Sequence, residues 1–214
     1  MGILEIICER QRALSEDHHD LPEHRPEMLY FGCVDARLDP ICDIGIPKGK
    51  ALIHRNIAAL IPPASEARPS IGAVLEFFLN HIPKPASGPK HIVVAAHTDC
   101  GGLKACCALH QHEGSALGGY LEGLAAARHE VMKEAQTRQW DQQQILHALE
   151  HASVRQSVKN LLTYEVVRQA LSSGNVVIHG WLMDTATRHI AVMDPESGDF
   201  RPMTAMPQRG NQVA

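Results

Sequence analysis

Four short stretches of the chain are apolar at nearly every position. Met28-Leu29-Tyr30-Phe31-Gly32-Cys33, Ala51-Leu52-Ile53-His54, His91-Ile92-Val93-Val94-Ala95-Ala96-His97 and Asn175-Val176-Val177-Ile178-His179-Gly180-Trp181 have the length of buried strands. A fifth, Arg188-His189-Ile190-Ala191-Val192-Met193, alternates and predicts an edge strand. Between them the period changes. Ile71, Val74, Leu75, Phe78, Leu79 and Ile82 fall on one helical stripe, with Ser70 as its cap and Pro83, Pro85 and Gly88 as its end. Gly101-Gly102 turns the chain into a helix carrying Leu103, Cys106, Cys107 and Leu109, and Gly114 to Gly119 breaks it. A helical region with interruptions fills 120–172. Strands separated by helices predict an α/β fold with a mostly parallel central sheet flanked by helices. Ahead of it, residues 2–15 read as a weakly amphipathic helix with Ile3, Leu4, Ile7 and Leu14 near one face. The polar stretch Ser15 to Glu27 reads as a linker. The expected organisation is an N-terminal helical arm and linker over 1–27 and a single α/β domain over 28–214.

Composition narrows the partners. A net charge of -4 over 214 residues, with no basic run, points away from nucleic acid and from a membrane surface. No apolar run reaches the roughly 20 residues of a membrane span. The first residues carry Glu5 and lack a small-residue cleavage pattern, and Ile6 stands where a myristoylation signal has Ser or Thr. Cysteines at 8, 33, 42, 100, 106 and 107, two of them vicinal, do not make a disulfide framework. The expected compartment is a reducing cytoplasm. Cys42, Cys106 and Cys107 are expected as packed thiols, Trp181 as a core or interface residue, and 193–199 as a turn.

Chemistry gathers in two segments that follow predicted strands: Cys33-Val34-Asp35-Ala36-Arg37 and His97-Thr98-Asp99-Cys100-Gly101-Gly102. Two thiols and one imidazole are a soft three-ligand set that suits zinc and leaves a fourth position free. Both segments lie at carboxyl ends of strands, where open α/β sheets place their sites. Asp35 adds an acceptor, and Arg37 something to hold it. Without a metal, that pair is a surface ion pair worth about 0–1 kcal/mol.

The two segments resemble the signatures of the β-class carbonic anhydrases, Cys-x-Asp-Ser-Arg and His-x-x-Cys-Gly. The resemblance continues through Leu38-Asp39-Pro40, His54-Arg55-Asn56, Ile61-Pro62-Pro63, Ser70 to Phe77, Ser153 to Leu162 and Ile178-His179-Gly180-Trp181 with Asp184, covering about 26–203. It implies one zinc per chain held by Cys33, His97 and Cys100. Asp35 would accept a hydrogen bond from zinc-bound hydroxide, with Arg37 paired to it, or would swing onto the zinc and close the site. Backbone N–H groups near Gly101 and Gly102 would bind a bicarbonate oxygen. The implied reaction is reversible hydration of CO₂ to bicarbonate and a proton, in a homodimer or dimer of dimers.

Four positions depart from the family pattern. Ala36 replaces its Ser and Ala59 its second Asn; His24 stands for a common Gln and Leu52 for an aromatic. In relatives the last two positions would line the substrate cleft. Carbonyl sulfide and carbon disulfide hydrolases share the metal set and are the alternative activity, and a non-catalytic zinc protein is the alternative class. A rival motif, His147-Ala148-Leu149-Glu150-His151, fits inverted zinc peptidases, with Glu165 or Glu196 as third ligand.

Overall fold

The structure is a computed structural model that describes residues 2–14, 23–66 and 69–205. Four strands form the parallel core of the sheet: β1 (Met28–Cys33), β2 (Ala51–Asn56), β3 (Lys90–His97) and β4 (Val176–Met183). Two shorter strands, β5 (Ile190–Met193) and β6 (Phe200–Pro202), complete it in the order β2-β1-β3-β4-β5-β6. β5 is antiparallel to β4, and β6 to β5. The expected mostly parallel α/β sheet is present. The alternating strand β5 is not its edge, however, because β6 pairs outside it. Three residues ending in proline leave no periodicity by which β6 could be recognised.

Strand composition follows from burial on both faces. Leu29 and Phe31 of β1 face one core with Ile92, Val94 and Val176. That core is closed by Ile71, Leu75 and Phe78 from α2 (Pro69–Glu76) and its continuation, by Leu161 of α6 (Gln142–Leu161) and by Val167 of α7 (Glu165–Ser172). Each fully buried Leu or Phe contributes about 1.5–3 kcal/mol. Tyr30, Val93 and Ala95 face the opposite side, against Ile46 with Ile44 and a half-buried Trp181.

Three local expectations are corrected. Ser70 lies in the first turn of α2 rather than capping it, because Pro69 takes the first helical position, where its missing N–H has no intrahelical acceptor to lose. After Glu76 the helix widens into a single π turn, Phe77–His81. Buried Lys90 donates to its Phe78 and Leu79 carbonyls at 2.7 and 3.0 Å. The glycines at 114–119 do not simply break a helix. Ser115 caps α4 (Ala116–Leu121), its Oγ accepting the Gly118 N–H at 3.0 Å, and a Cβ at Gly118 would run into the His112 carbonyl. Cys42 is exposed rather than packed, since it sits in a tight turn whose N–H groups are gathered by Asp39. Cys106 is buried, as expected.

The arm helix, α1 (Ile3–Leu14), leaves Ile3 and Leu4 69% and 72% exposed. Of the expected linker, 15–22 lie outside the described residues; Glu27 then joins the sheet by donating to the Lys50 carbonyl at 2.8 Å. Among the described residues, no helix is long and apolar enough to cross a membrane.

On β3 and β4 the rings of His91 and His179 meet, Nδ1 to Nε2, at 3.0 Å. Burial first, then the charge of His91, pushes His179 down to about 4 from an ordinary 6.5. A depressed histidine binds its proton more readily when unfolded. Its contribution to stability is therefore fully present above the ordinary value and is lost as pH falls toward the folded one. Thermal melts of the metal-free protein between about pH 7 and about pH 5 should show a falling Tm. His179→Gln should flatten that slope; an unchanged slope would contradict the assignment.

Candidate metal centre

Strand register brings the two chemical segments together. β1 and β3 are adjacent and parallel, with Gly32 opposite Ala95, so Cys33 and His97 end neighbouring strands at the same edge of the sheet. Cys100 is the N-cap residue of α3 (Gly101–Cys107). The ligand atoms of Cys33, His97 and Cys100 all lie within 4.8 Å of one another, and all three residues are buried.

The donor set fits a metal ion. The two sulfurs are 3.9 Å apart. A tetrahedral ion with metal–sulfur bonds of about 2.3 Å holds two thiolates about 3.8 Å apart. His97 Nδ1 lies 2.9 Å from the Thr98 carbonyl, which can only accept, so Nδ1 carries the proton. Nε2 therefore presents its lone pair to the sulfurs, and this buried nitrogen has no hydrogen-bond partner. A metal ligand whose other ring nitrogen is tied to a carbonyl has this arrangement. Cys100 pulls the Cys33 thiol down, against burial and with help from His97, while Cys33 and burial push Cys100 up. The Gly102 and Leu103 N–H groups face the Cys100 sulfur and favour its thiolate.

Beside this cluster, Asp35 is gripped on both oxygens. Arg37 Nε donates to Oδ1 at 2.9 Å and Nη2 to Oδ2 at 2.7 Å, and the Arg37 N–H adds a third bond at 3.0 Å. The Arg37 side-chain bonds hold the Asp35 carboxyl well below the usual carboxylate range. Oδ2 lies 3.8 Å from His97 Nε2, so the carboxylate stands at the wall of the cluster.

Several residues of the resembling segments build this geometry in ways the motifs did not assign. Arg55 donates to the Cys33 and Asp35 carbonyls at 2.8 and 2.6 Å, fixing the backbone between ligand and carboxylate. Asn56 then bonds the Leu60 carbonyl at 2.8 Å across a turn in which Ala58 and Ala59 take φ of 59° and 52°. That turn packs on α3 so closely that a Cβ on Gly102 would sit 2.6 Å from Ile57 Cγ2. Gly102 is therefore required by packing, whereas Gly101 faces open space. Asp99 pairs with Arg37 Nη1 at 3.2 Å and with Lys104, joining the two segments side chain to side chain.

Two expected cleft residues are not at the centre within one chain. Leu52 pairs with Leu29 while Asn56 pairs with Cys33, four residues along. That places Leu52 about 13 Å from the ligand end of the sheet. His24 is exposed and lies beyond the other end of β1, where Arg25 donates to Gly49. The rival motif does not gather ligands either. Glu150 turns inward to the Asp99 N–H at 2.7 Å, and His151 Nδ1 bonds the His147 carbonyl of its own helix at 2.8 Å. Among the described residues, Cys33, His97 and Cys100 make the one candidate metal cluster.

A mostly parallel sheet with three buried candidate ligands at its carboxyl edge, and an arginine-held carboxylate beside them, defines an α/β scaffold with a place for a metal ion. A profile of the carbonic anhydrase family matches residues 28–190. The carbonic anhydrase of Synechococcus elongatus is 27% identical over 199 residues, 90% of this chain and 71% of that protein. That of Pseudomonas aeruginosa is 28% identical over 191 residues, 86% and 80% of the two chains. The solved β-carbonic anhydrase CafA of Aspergillus fumigatus superposes with a TM-score of 0.70 at 28% identity, covering 91% of this chain and 92% of its own. The chain belongs to the carbonic anhydrase family, in its β class.

Proposed function

We propose that this chain catalyses the reversible hydration of CO₂ to bicarbonate and a proton, with one zinc ion held by Cys33, His97 and Cys100. The observation that carries the proposal is the unpartnered Nε2 of His97 facing two sulfurs at tetrahedral spacing. When bound, zinc supplies a Lewis acid that makes hydroxide from water near neutral pH. Cys33 and Cys100 would hold the metal as thiolates, so its affinity should weaken as pH falls. Asp35 orients the nucleophile by accepting its hydrogen bond. Arg37 keeps Asp35 ionised and turned, which supports an open site at rest. The open space before Gly101 leaves room for a bicarbonate oxygen near Gly101 and Gly102. Zinc-loaded protein should hydrate CO₂ faster than it hydrolyses carbonyl sulfide or carbon disulfide. Turnover of the sulfur compounds alone would replace the proposed substrate.

The proposal extends to assembly. Residues 28–214 would act as one catalytic domain, with 1–27 as an arm that reaches a second copy around a two-fold axis. The exposed Ile3, Leu4, Ile6 and Ile7 of α1 support this, because one chain leaves them without cover. His24 and Leu52 would then line a cleft from the neighbouring chain. The β-carbonic anhydrases of Sordaria macrospora, similar in fold, are tetrameric. Deleting residues 1–20 should weaken the dimer and lower activity together; a fully active monomer by light scattering at assay concentration would contradict this. A reducing cytoplasm is the compartment in keeping with six free cysteines.

A further inference from the structure

We infer that Glu150 is a positioning residue for the metal loop: its buried carboxylate holds the Asp99 N–H and thereby fixes the turn that aims His97 and Cys100 at one point. This rests on the metal-site proposal above for its consequence, though not for the contact itself.

Glu150 lies inside α6 and is 2% exposed. A carboxylate facing a core is costly unless it is hydrogen-bonded. Its Oε1 accepts the Asp99 N–H at 2.7 Å, across 51 residues of sequence. Its other oxygen comes within 3.7 Å of His147 Nδ1, on an exposed side chain. Asp99 has φ of +59°, a left-handed conformation that residues with a Cβ adopt only when their surroundings impose it. It stands between the two ligands of the loop. Only Thr98 and Asp99 separate the last residue of β3 from the cap of α3, so a reversal must occur within them. A left-handed residue there makes that reversal.

The Asp99 carboxylate is engaged by two cations, one oxygen by Arg37 and the other by Lys104. The acceptor for its N–H comes from Glu150. One bond from α6 thus sets the angle between two metal ligands. It also sets the place from which Asp99 meets Arg37, the residue that grips Asp35.

Packing and hydrogen bonding can be separated by two variants of similar size. Glu150→Gln keeps an oxygen that accepts the Asp99 N–H, whereas Glu150→Met fills the space with no such acceptor. Zinc affinity by chelator competition should fall about 10- to 100-fold in E150M and stay near wild type in E150Q. The cobalt-substituted proteins should differ likewise, with ligand-field bands altered in E150M alone. Wild-type zinc affinity together with an unchanged cobalt spectrum in E150M would overturn the inference. The Asp99 amide gives a readout that needs no metal. By NMR hydrogen exchange it should be protected in metal-free wild type and E150Q, and about 10-fold or more faster in E150M. Should E150M fail to fold, rapid exchange of this amide in the wild-type protein alone would overturn the inference. If wild-type protein binds no zinc while this amide follows the expected pattern, the metal-site proposal fails and the positioning contact stands.

Discussion

Cys100→Ala will lose most of its zinc, and its folded state will weaken with it. Cys100 supplies one of two sulfurs set 3.9 Å apart, and the remaining Cys33 and His97 cannot close a three-ligand site. A metal that binds the native chain and not the unfolded one adds stability by mass action, about 4 kcal/mol when it is present at about 1,000 times its Kd. For a chain of this size that corresponds to a Tm lower by about 8–16 °C in the variant. Metal content by atomic emission and thermal melts with and without chelator measure both effects. The chelator should lower the wild-type Tm toward that of Cys100→Ala and leave the variant unmoved. Full zinc content in the variant would mean that the metal sits elsewhere.

Asp35→Asn should keep its zinc and lose about 100-fold in turnover, the scale on which small misplacements of reacting groups act. An amide offers Arg37 one acceptor instead of two, so the grip that now engages both carboxylate oxygens is broken. It also presents an N–H where the nucleophile needs an acceptor. Stopped-flow rates on protein of matched zinc content separate this from metal loss. Near-normal turnover would remove Asp35 from the mechanism. The wild-type pH profile carries a second reading of the same pair. With Arg37 holding Asp35, activity should follow a single near-neutral ionisation. A sharp shutdown at low pH that recovers only above about pH 8 would mean that Asp35 leaves Arg37 for the metal.

The candidate metal cluster was legible in the chain because its members are local in sequence. Cys33, Asp35 and Arg37 lie within five residues, His97 and Cys100 within four, and each group ends an apolar strand. The main strands and the mostly parallel sheet followed from the same apolar runs, whereas the order of the strands did not. What could not be read is what arrives from a distance. Arg55 stood in a segment of the resemblance, but nothing there told that it reaches the Cys33 carbonyl from the neighbouring strand; Glu150 comes from the middle of a helix, where a charged residue in sequence looks like any solvated position. The rival motif His147-x-x-Glu150-His151 fails for the same reason: helical spacing does not tell that the acid turns inward to Asp99 while His151 Nδ1 bonds a carbonyl of its own helix. β6 was invisible because three residues carry no period, and His24 and Leu52 lie away from the cluster within one chain.

The most direct test is stopped-flow CO₂ hydration by purified, zinc-loaded protein, followed from mildly acidic to alkaline pH before and after chelation. Rapid hydration that disappears with the chelator and returns with added zinc is the expected result. A dimeric protein carrying one zinc per chain that leaves CO₂ untouched at every pH would contradict it.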